Sequence, residues 1–250
     1  IMHKVNKPTL LAMMVVKNEA NRYLLPVLNH LVDYVDGIVI LDDASTDQTP
    51  ELCRSHKKVL RFQQLEQSLF EQDEAALRKI LWEMTVGLAP TWILALDADE
   101  IFETRIIKEL PSLIHQEDFD LITFPAYHFW GDLGHYRIDH YWNPALSRIA
   151  CLYRYQGNLT YHWTSRQLHC GRFPQEAYLA PRLLSNIRLL HLGYAAQKEH
   201  CQKYQRYLSL DPQGKFCPLS HYQSILNPKP CLRKWNGENL EVLVCKPVSS

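Results

Sequence analysis

Residues 92–101 read WILALDADEI. An apolar run ends in three acids within four positions: Asp97, Asp99 and Glu100. Like charges this close repel unless a cation sits among them. The run itself reads as a buried strand, and a chain that stays extended through Asp97 and Asp99 turns both carboxylates to one side, roughly 6.5 Å apart by strand rise. Two such carboxylates can share a hard divalent ion, Mg²⁺ or Mn²⁺, directly or through water. An ion held this way keeps positions for water and for a substrate phosphate.

Upstream, residues 9–16 (TLLAMMVV) and the start of residues 37–49 (GIVILDDASTDQT) are further apolar runs, and VLRFQQ at 59–64 reads as another strand. Between them, residues 21–35 carry helical apolar spacing at Leu24, Leu25, Leu28, Leu31 and Val32, with Pro26 tolerated in the first turn. Residues 73–88 (DEAALRKILWEMTVGL) form an amphipathic pattern with Asp73 at its start. Residues 104–116 are helical in their first part, and residues 120–129 read as a strand. Strand, helix, strand, helix predicts a mainly parallel α/β sheet with helices on both faces. Runs without alternation fit strands buried on both faces.

Ligands of open parallel sheets bind at the carboxyl ends of the strands. Three strands here end in polar clusters: Lys17-Asn18-Glu19, Asp42-Asp43-Ala44-Ser45-Thr46-Asp47, and Asp97-Ala98-Asp99-Glu100. Each alone would pass for a polar loop or a helix cap. Their coincidence on one edge points to a cation carrying a phosphorylated substrate. No GxxxxGK[ST] loop is present and no GxGxxG follows the first strand, so metal and basic side chains would have to hold the phosphates.

Charge is divided along the chain. Residues 1–125 hold 12 Lys/Arg against 20 Asp/Glu, and residues 126–250 hold 15 against 7, a balance near −8 followed by one near +8. An acidic half suits a cation and a basic half an anionic ligand or surface, although two solvated faces give the same sums. The seven cysteines are scattered, with no CxxC pair, which argues against a zinc ribbon and fits a reducing compartment. No secretory leader and no run of about 20 apolar residues is read. The expectation is a cytoplasmic protein, with contact at the inner face of a membrane compatible with its basic half.

Taken together, MMVVKNEA, VILDDASTDQT, ILALDADEI and LLHLGYAAQKEHCQKYQRYLSLDP resemble glycosyltransferase family 2, the inverting enzymes of the GT-A fold. The resemblance covers roughly residues 9–212. It implies a GT-A domain over 1–212, with a nucleotide-sugar half at 1–125, an acceptor half at 126–212, and a tail at 213–250 packed on or extending it. By resemblance Lys17, Asn18 and Glu19 line the nucleotide pocket, Asp42 or Asp43 binds base or ribose, and Asp97 and Ala98 meet the nucleotide sugar. Asp97 and Asp99 look like the metal pair for Mn²⁺ or Mg²⁺, and His191 like the late histidine that completes the site.

The pattern departs from the family where an acceptor-side acid is expected. The sequence there reads LHC at 168–170, so His169 matches while Cys170 replaces the acid. An inverting transfer needs a carboxylate or histidine to take the acceptor proton. The candidates are Asp139, Glu176, His169, Asp132 and Glu100. Asp139 ranks first as a rare acid in an aromatic, basic segment, with pairing to Arg137 or Arg148 as the alternative. Trp130 or Trp142, not both, is expected to face a ligand. Arg137, Arg148 and Arg172 are candidate diphosphate partners. The segment NLEVLVC near the end reads as a strand.

The resemblance implies transfer of a sugar, from a UDP-sugar first and dTDP- or GDP-sugars next, to a glycan, lipid-linked or other hydroxyl acceptor in cell-envelope or polysaccharide synthesis, with no nucleic-acid partner. Two other readings stand beside it. One is a degenerate, non-catalytic sugar-nucleotide or partner-binding module, favoured by Cys170. The other is an Asp-x-Asp phosphotransferase of the haloacid dehalogenase type, disfavoured because the motif sits on the fourth strand and continues Glu100-Ile101.

Overall fold

The computed structural model describes residues 9–164 and 169–244. In chain order its elements are β1 (Leu10–Val16), α1 (Leu24–Leu31), β2 (Gly37–Asp42), α2 (Thr49–Ser55), β3 (Val59–Gln64), α3 (Glu74–Val86), β4 (Trp92–Ala95) and β5 (Glu100–Phe102). Then come α4 (Arg105–His115), β6 (Leu121–Trp130), β7 (His135–Arg137), β8 (Arg148–Arg154), α5 (Gln175–Leu179), β9 (Arg182–Leu184) and β10 (Leu189–Tyr194). A single 3₁₀ turn leads into α6 (His200–Leu210), followed by α7 (Leu219–Ser224), β11 (Leu232–Lys234) and α8 (Leu240–Val244).

The sheet runs β3-β2-β1-β4-β8-β6-β7-β11. Its first four strands are parallel, as the apolar runs predict. β8 is antiparallel to both β4 and β6, so the second half of the chain joins the same sheet with reversed pairing. β10 lies parallel to β6 and antiparallel to β5.

Side chains of β1 alternate between two cores. Leu10, Ala12, Met14 and Val16 pack with Leu24, Leu28 and Leu31 of α1 and with Ile106, Leu110 and Ile114 of α4. Met13 faces the other way, with Leu77, Leu81 and Trp82 of α3. Period-two alternation with helices on both faces is what makes the strand read as continuously apolar. Truncating Leu28 or Leu81 to Ala would cost about 2–5 kcal/mol.

Three local expectations are corrected. α4 does not stop before Pro111 but continues to His115, because Leu110 and Ile114 are buried on either side of an exposed proline. Residues 240–244 are helical, not a strand: the Asn239 side chain accepts from Glu241 N, and Leu240 and Leu243 share the buried face. The acids after β4 are not extended either. Glu100 N donates to Asp97 O at 3.1 Å, closing a turn that sends Asp97 and Asp99 toward different partners.

The carboxyl ends of β1, β2 and β4 are adjacent, with Val16 in register with Asp42 and Met13 with Ala95. The segment after α6 is tied back to this body: β11 pairs with β7, and α7 packs on α6. No helix among the described residues is long and apolar enough to cross a membrane.

Candidate active site

Two loops at the strand ends are stitched together. Asn18, in the left-handed region at φ 54°, accepts from Thr46 N at 2.8 Å and donates from its own N to Ser45 Oγ at 2.8 Å. Glu19 N donates to Thr49 Oγ1. The side-chain oxygen of Asn18 is thus engaged in the loop, which fixes where Lys17 and Glu19 stand.

Asp42 and Asp43, both buried, differ in role. Asp42 Oδ1 accepts from Ser45 N at 2.6 Å, while its Oδ2 is a buried oxygen with no hydrogen-bond partner among the described residues. Burial raises its pKa, with the Ser45 bonds opposing. Asp43 accepts from Leu69 N at 2.7 Å and Ser68 Oγ at 2.5 Å, with Lys17 Nζ 3.8 Å away. It therefore anchors the loop between β3 and α3, which carries Phe70 to the site.

A cavity of about 280 Å³ opens at these ends, lined by Lys17, Glu19, Asp43, Asp97, Ala98, Asp99, His169 and His191 among others. All but Asn18 and Asp42 of the nucleotide and metal residues expected from sequence lie on it. Residues not foreseen also line it: Arg22, Phe70, Glu74, Arg78, Lys203, Arg206 and Tyr207.

Asp97 faces cations already in the chain. Its Oδ1 is 3.2 Å from Arg78 Nη2 and its Oδ2 2.9 Å from Arg172 Nη2. Burial pushes the carboxyl up, but Arg172 and Arg78 outweigh it and hold the group well below the usual carboxylate range. Arg172 also makes two bonds to fully buried Glu100, at 2.6 and 2.7 Å, and one to Ala95 O at 3.0 Å. Part of the positive answer to the three acids is thus Arg172 itself.

Asp99 is placed differently. His191 Nε2 lies 3.7 Å from its Oδ1 and Lys203 Nζ 3.6 Å from its Oδ2, both too long for hydrogen bonds. Burial raises its pKa, and His191 and Lys203 together bring it below the ordinary value. His191 Nδ1 is buried without a hydrogen-bond partner among the described residues. Among the described residues no three His, Cys, Asp or Glu side chains converge as a metal cage. Asp99 and His191 still fit a hard divalent ion that takes the rest of its shell from water and diphosphate. A cation reaching Asp97 would have to displace a guanidinium. Gly193 on β10 makes the approach possible: a Cβ there would clash with Asp99 Oδ2, Lys203 Nζ and His191 Cε1.

Glu19 completes this wall. Its Oε1 accepts from Arg22 at 2.8 Å, and its Oε2 is buried with no hydrogen-bond partner among the described residues. Burial raises its pKa to about 7 against the pull of Arg22.

A second cavity of about 200 Å³ adjoins the first and shares Asp97, His169, His191 and Tyr207 with it. Its own wall includes His128, Trp142, Tyr194, His221 and Tyr222. Trp142 lines it; Trp130 stacks on Tyr194 at 4.8 Å and takes Arg137 over its ring at 4.3 Å. His128 is held neutral, its pKa pushed well down by burial and then by His191.

The base candidates separate clearly. Asp139 lines neither cavity; it accepts from Arg137 Nε at 2.6 Å and Tyr141 N at 3.1 Å. Glu176 lines neither, and binds His162 Nδ1 at 2.7 Å and His162 N at 2.9 Å. Asp132 pairs with His135, and Glu100 is engaged by Arg172. The Cys170 thiol is pushed up to about 12 by burial, so it does not stand in for a carboxylate. His169 lines both cavities. Of the three arginines expected at a diphosphate, Arg137 binds Asp139 and Ser224 O, and Arg148 binds Thr123 and Ser185.

The profile of "Glycosyl transferase family 2" matches residues 12–171. The chain belongs to this family. Uncharacterised proteins of Mycobacterium tuberculosis and Mycobacterium bovis are each 27% identical over 213 residues, covering 80% of this chain and 50% of their own length. The chain thus spans about half the length of the curated relatives it matches. Among solved structures, S. aureus TarS is similar with a TM-score of 0.51 at 15% identity, over 87% of this chain and 42% of TarS. Residues 1–349 of TarS in complex with UDP give 0.53 at 14% identity, over 87% and 69%. These likenesses establish the GT-A fold of family 2 for this chain.

Proposed function

We propose that the protein is an inverting glycosyltransferase that moves a sugar from a nucleoside diphosphate donor to a hydroxyl acceptor. One observation carries this reading: two cavities meet at a shared wall of Asp97, His169, His191 and Tyr207. Two substrates can occupy adjoining spaces with their reacting atoms at the junction.

The larger cavity takes the donor. Lys203 and Arg206 line it and supply charge for a diphosphate. Asp99 and His191 would hold a divalent cation, Mn²⁺ or Mg²⁺, which would neutralise the leaving diphosphate. Arg78 and Arg172 keep Asp97 ionised and the turn rigid. The smaller cavity takes the acceptor, a sugar hydroxyl of a glycan or lipid-linked chain, whose ring faces suit Trp142. His169 is the base: it touches both spaces, whereas Asp139 and Glu176 touch neither. A cell-envelope glycan is the first acceptor class to test.

UDP is the first nucleotide to test, because a neighbour of this fold was solved with it. Calorimetric titration of UDP with and without Mn²⁺, repeated on Asp99→Ala, is the test. Metal-dependent binding lost in the variant, followed by turnover of a UDP-sugar, supports the reading. Binding without turnover of any UDP-, dTDP- or GDP-sugar favours the binding-module alternative. No binding of any of the three nucleotides overturns the donor assignment.

A further inference from the structure

Cys170 stands where the family resemblance expects a carboxylate, and the family match ends at residue 171. A carboxylate reaches this corner from later in the chain. His169 Nε2 lies 3.2 Å from the Tyr222 hydroxyl, and that hydroxyl donates to Asp211 Oδ2 at 3.1 Å. Asp211 follows α6 and Tyr222 sits in α7; each is only 2% exposed.

Donor counting fixes the direction of the chain of bonds. Asp211 accepts from Lys215 N at 2.6 Å, Phe216 N at 2.9 Å and Cys217 N at 3.1 Å. Burial works against its ionisation, but these donors and Tyr222 keep its pKa below the ordinary value. An ionised carboxylate only accepts, so the single Tyr222 proton goes to Asp211. The Tyr222 oxygen then accepts from His169. His169 must turn Nε2–H toward it, which makes Nδ1 the acceptor nitrogen of the neutral ring. Tyr207 stacks on Tyr222 at 5.4 Å and 6°, holding the phenol in place. The His169 main chain is fixed separately, its N donating to Glu74 Oε2 at 2.7 Å.

We infer that Tyr222 and Asp211 are positioning residues that hold His169 in the Nε2–H tautomer at the wall the two cavities share. This rests on the reading of His169 as base. In the step served, the acceptor oxygen forms a bond to the anomeric carbon as the bond from that carbon to the diphosphate oxygen breaks. The diphosphate leaves with the electron pair, and the hydroxyl proton passes to the His169 imidazole, giving an imidazolium that later releases it to water. The carboxylate missing at position 170 is thus supplied at one remove, through a tyrosine, by a segment outside the matched family span.

The test is long-range ¹H–¹⁵N correlation on histidine-labelled full chain, with His169→Gln locating the His169 signals. Neutral His169 is expected as Nε2–H, and Tyr222→Phe is expected to erase that preference. The same variant should lower kcat for a UDP-sugar about tenfold with the donor KM unchanged. Finding wild-type His169 as Nδ1–H overturns the inference without any variant. So does a Tyr222→Phe protein whose His169 tautomer is unaltered, which is the outcome if Asp211 merely caps the turn after α6. If His169→Gln turns over like wild type, the base reading falls, and the tautomer result still decides whether Tyr222 sets the ring.

Discussion

Arg172 and Glu100 meet through two hydrogen bonds, at 2.6 and 2.7 Å, with the carboxylate wholly buried beneath the turn that carries Asp97 and Asp99. The third acid of the DADE segment thus serves as the seat of a guanidinium that in turn reaches Asp97. Removing one partner leaves a buried charge alone. Arg172→Ala should cost about 3–5 kcal/mol of stability. The double variant Arg172→Met, Glu100→Leu should recover part of that loss, as a double-mutant cycle by chemical denaturation would show.

Asp97 and Asp99 should respond differently to loss of charge. Asp97→Asn weakens bonds to Arg78 and Arg172 and is expected to destabilise by about 1–3 kcal/mol. Asp99→Asn should leave the melting temperature close to wild type while abolishing metal-dependent UDP binding. Equal thermal effects in the two variants would refute this division of labour.

Glu19 predicts a pH dependence of stability. Its folded pKa, raised by burial to about 7, exceeds the ordinary glutamate value of 4.5, so between those values the folded chain binds more protons than the unfolded one. Stability is then lost as pH rises from about 4.5 to 7, and the cost is fully present above that window, at most ~3 kcal/mol. Glu19→Gln should melt several degrees above wild type at pH 8 and match it near pH 4.5. A constant gap across pH would count against the buried carboxyl as the cause.

Asp139→Asn and Glu176→Gln should keep UDP-sugar turnover within about threefold of wild type. His169→Gln should lose at least a hundredfold, the range of general-base effects. A large loss in Asp139→Asn with an unchanged melting temperature would reinstate it as the base.

The sequence made the larger cavity's strand-end wall legible because buried parallel strands announce themselves as apolar runs and their polar ends follow directly. Lys17, Glu19, Asp43, Asp97 and Asp99 were found that way, and all face one cavity. The pairing partners were not legible. Glu74 and Arg78 lie one turn apart on α3, and Lys203, Arg206 and Tyr207 share a face of α6; a helix gives no sign of which strand end it will approach. The spacing Lys203-x-x-Arg206-Tyr207 was the available signal. Asp139 and Glu176 were chosen by residue type in the acceptor half, and type does not reveal that Arg137 and His162 claim them first. Tyr222 and Asp211 were invisible because their link to His169 spans elements far apart in the chain.

Gly193 has a consequence for how substitutions will be tolerated. It has no side chain to offer, yet a methyl group there would occupy the point where Asp99, Lys203 and His191 converge. In a saturation library scored for UDP binding, position 193 should be as intolerant as Asp99, and Gly193→Ala should suffice to lose binding. What such a scan would record at this position is the value of an atom's absence: room kept open for a guest.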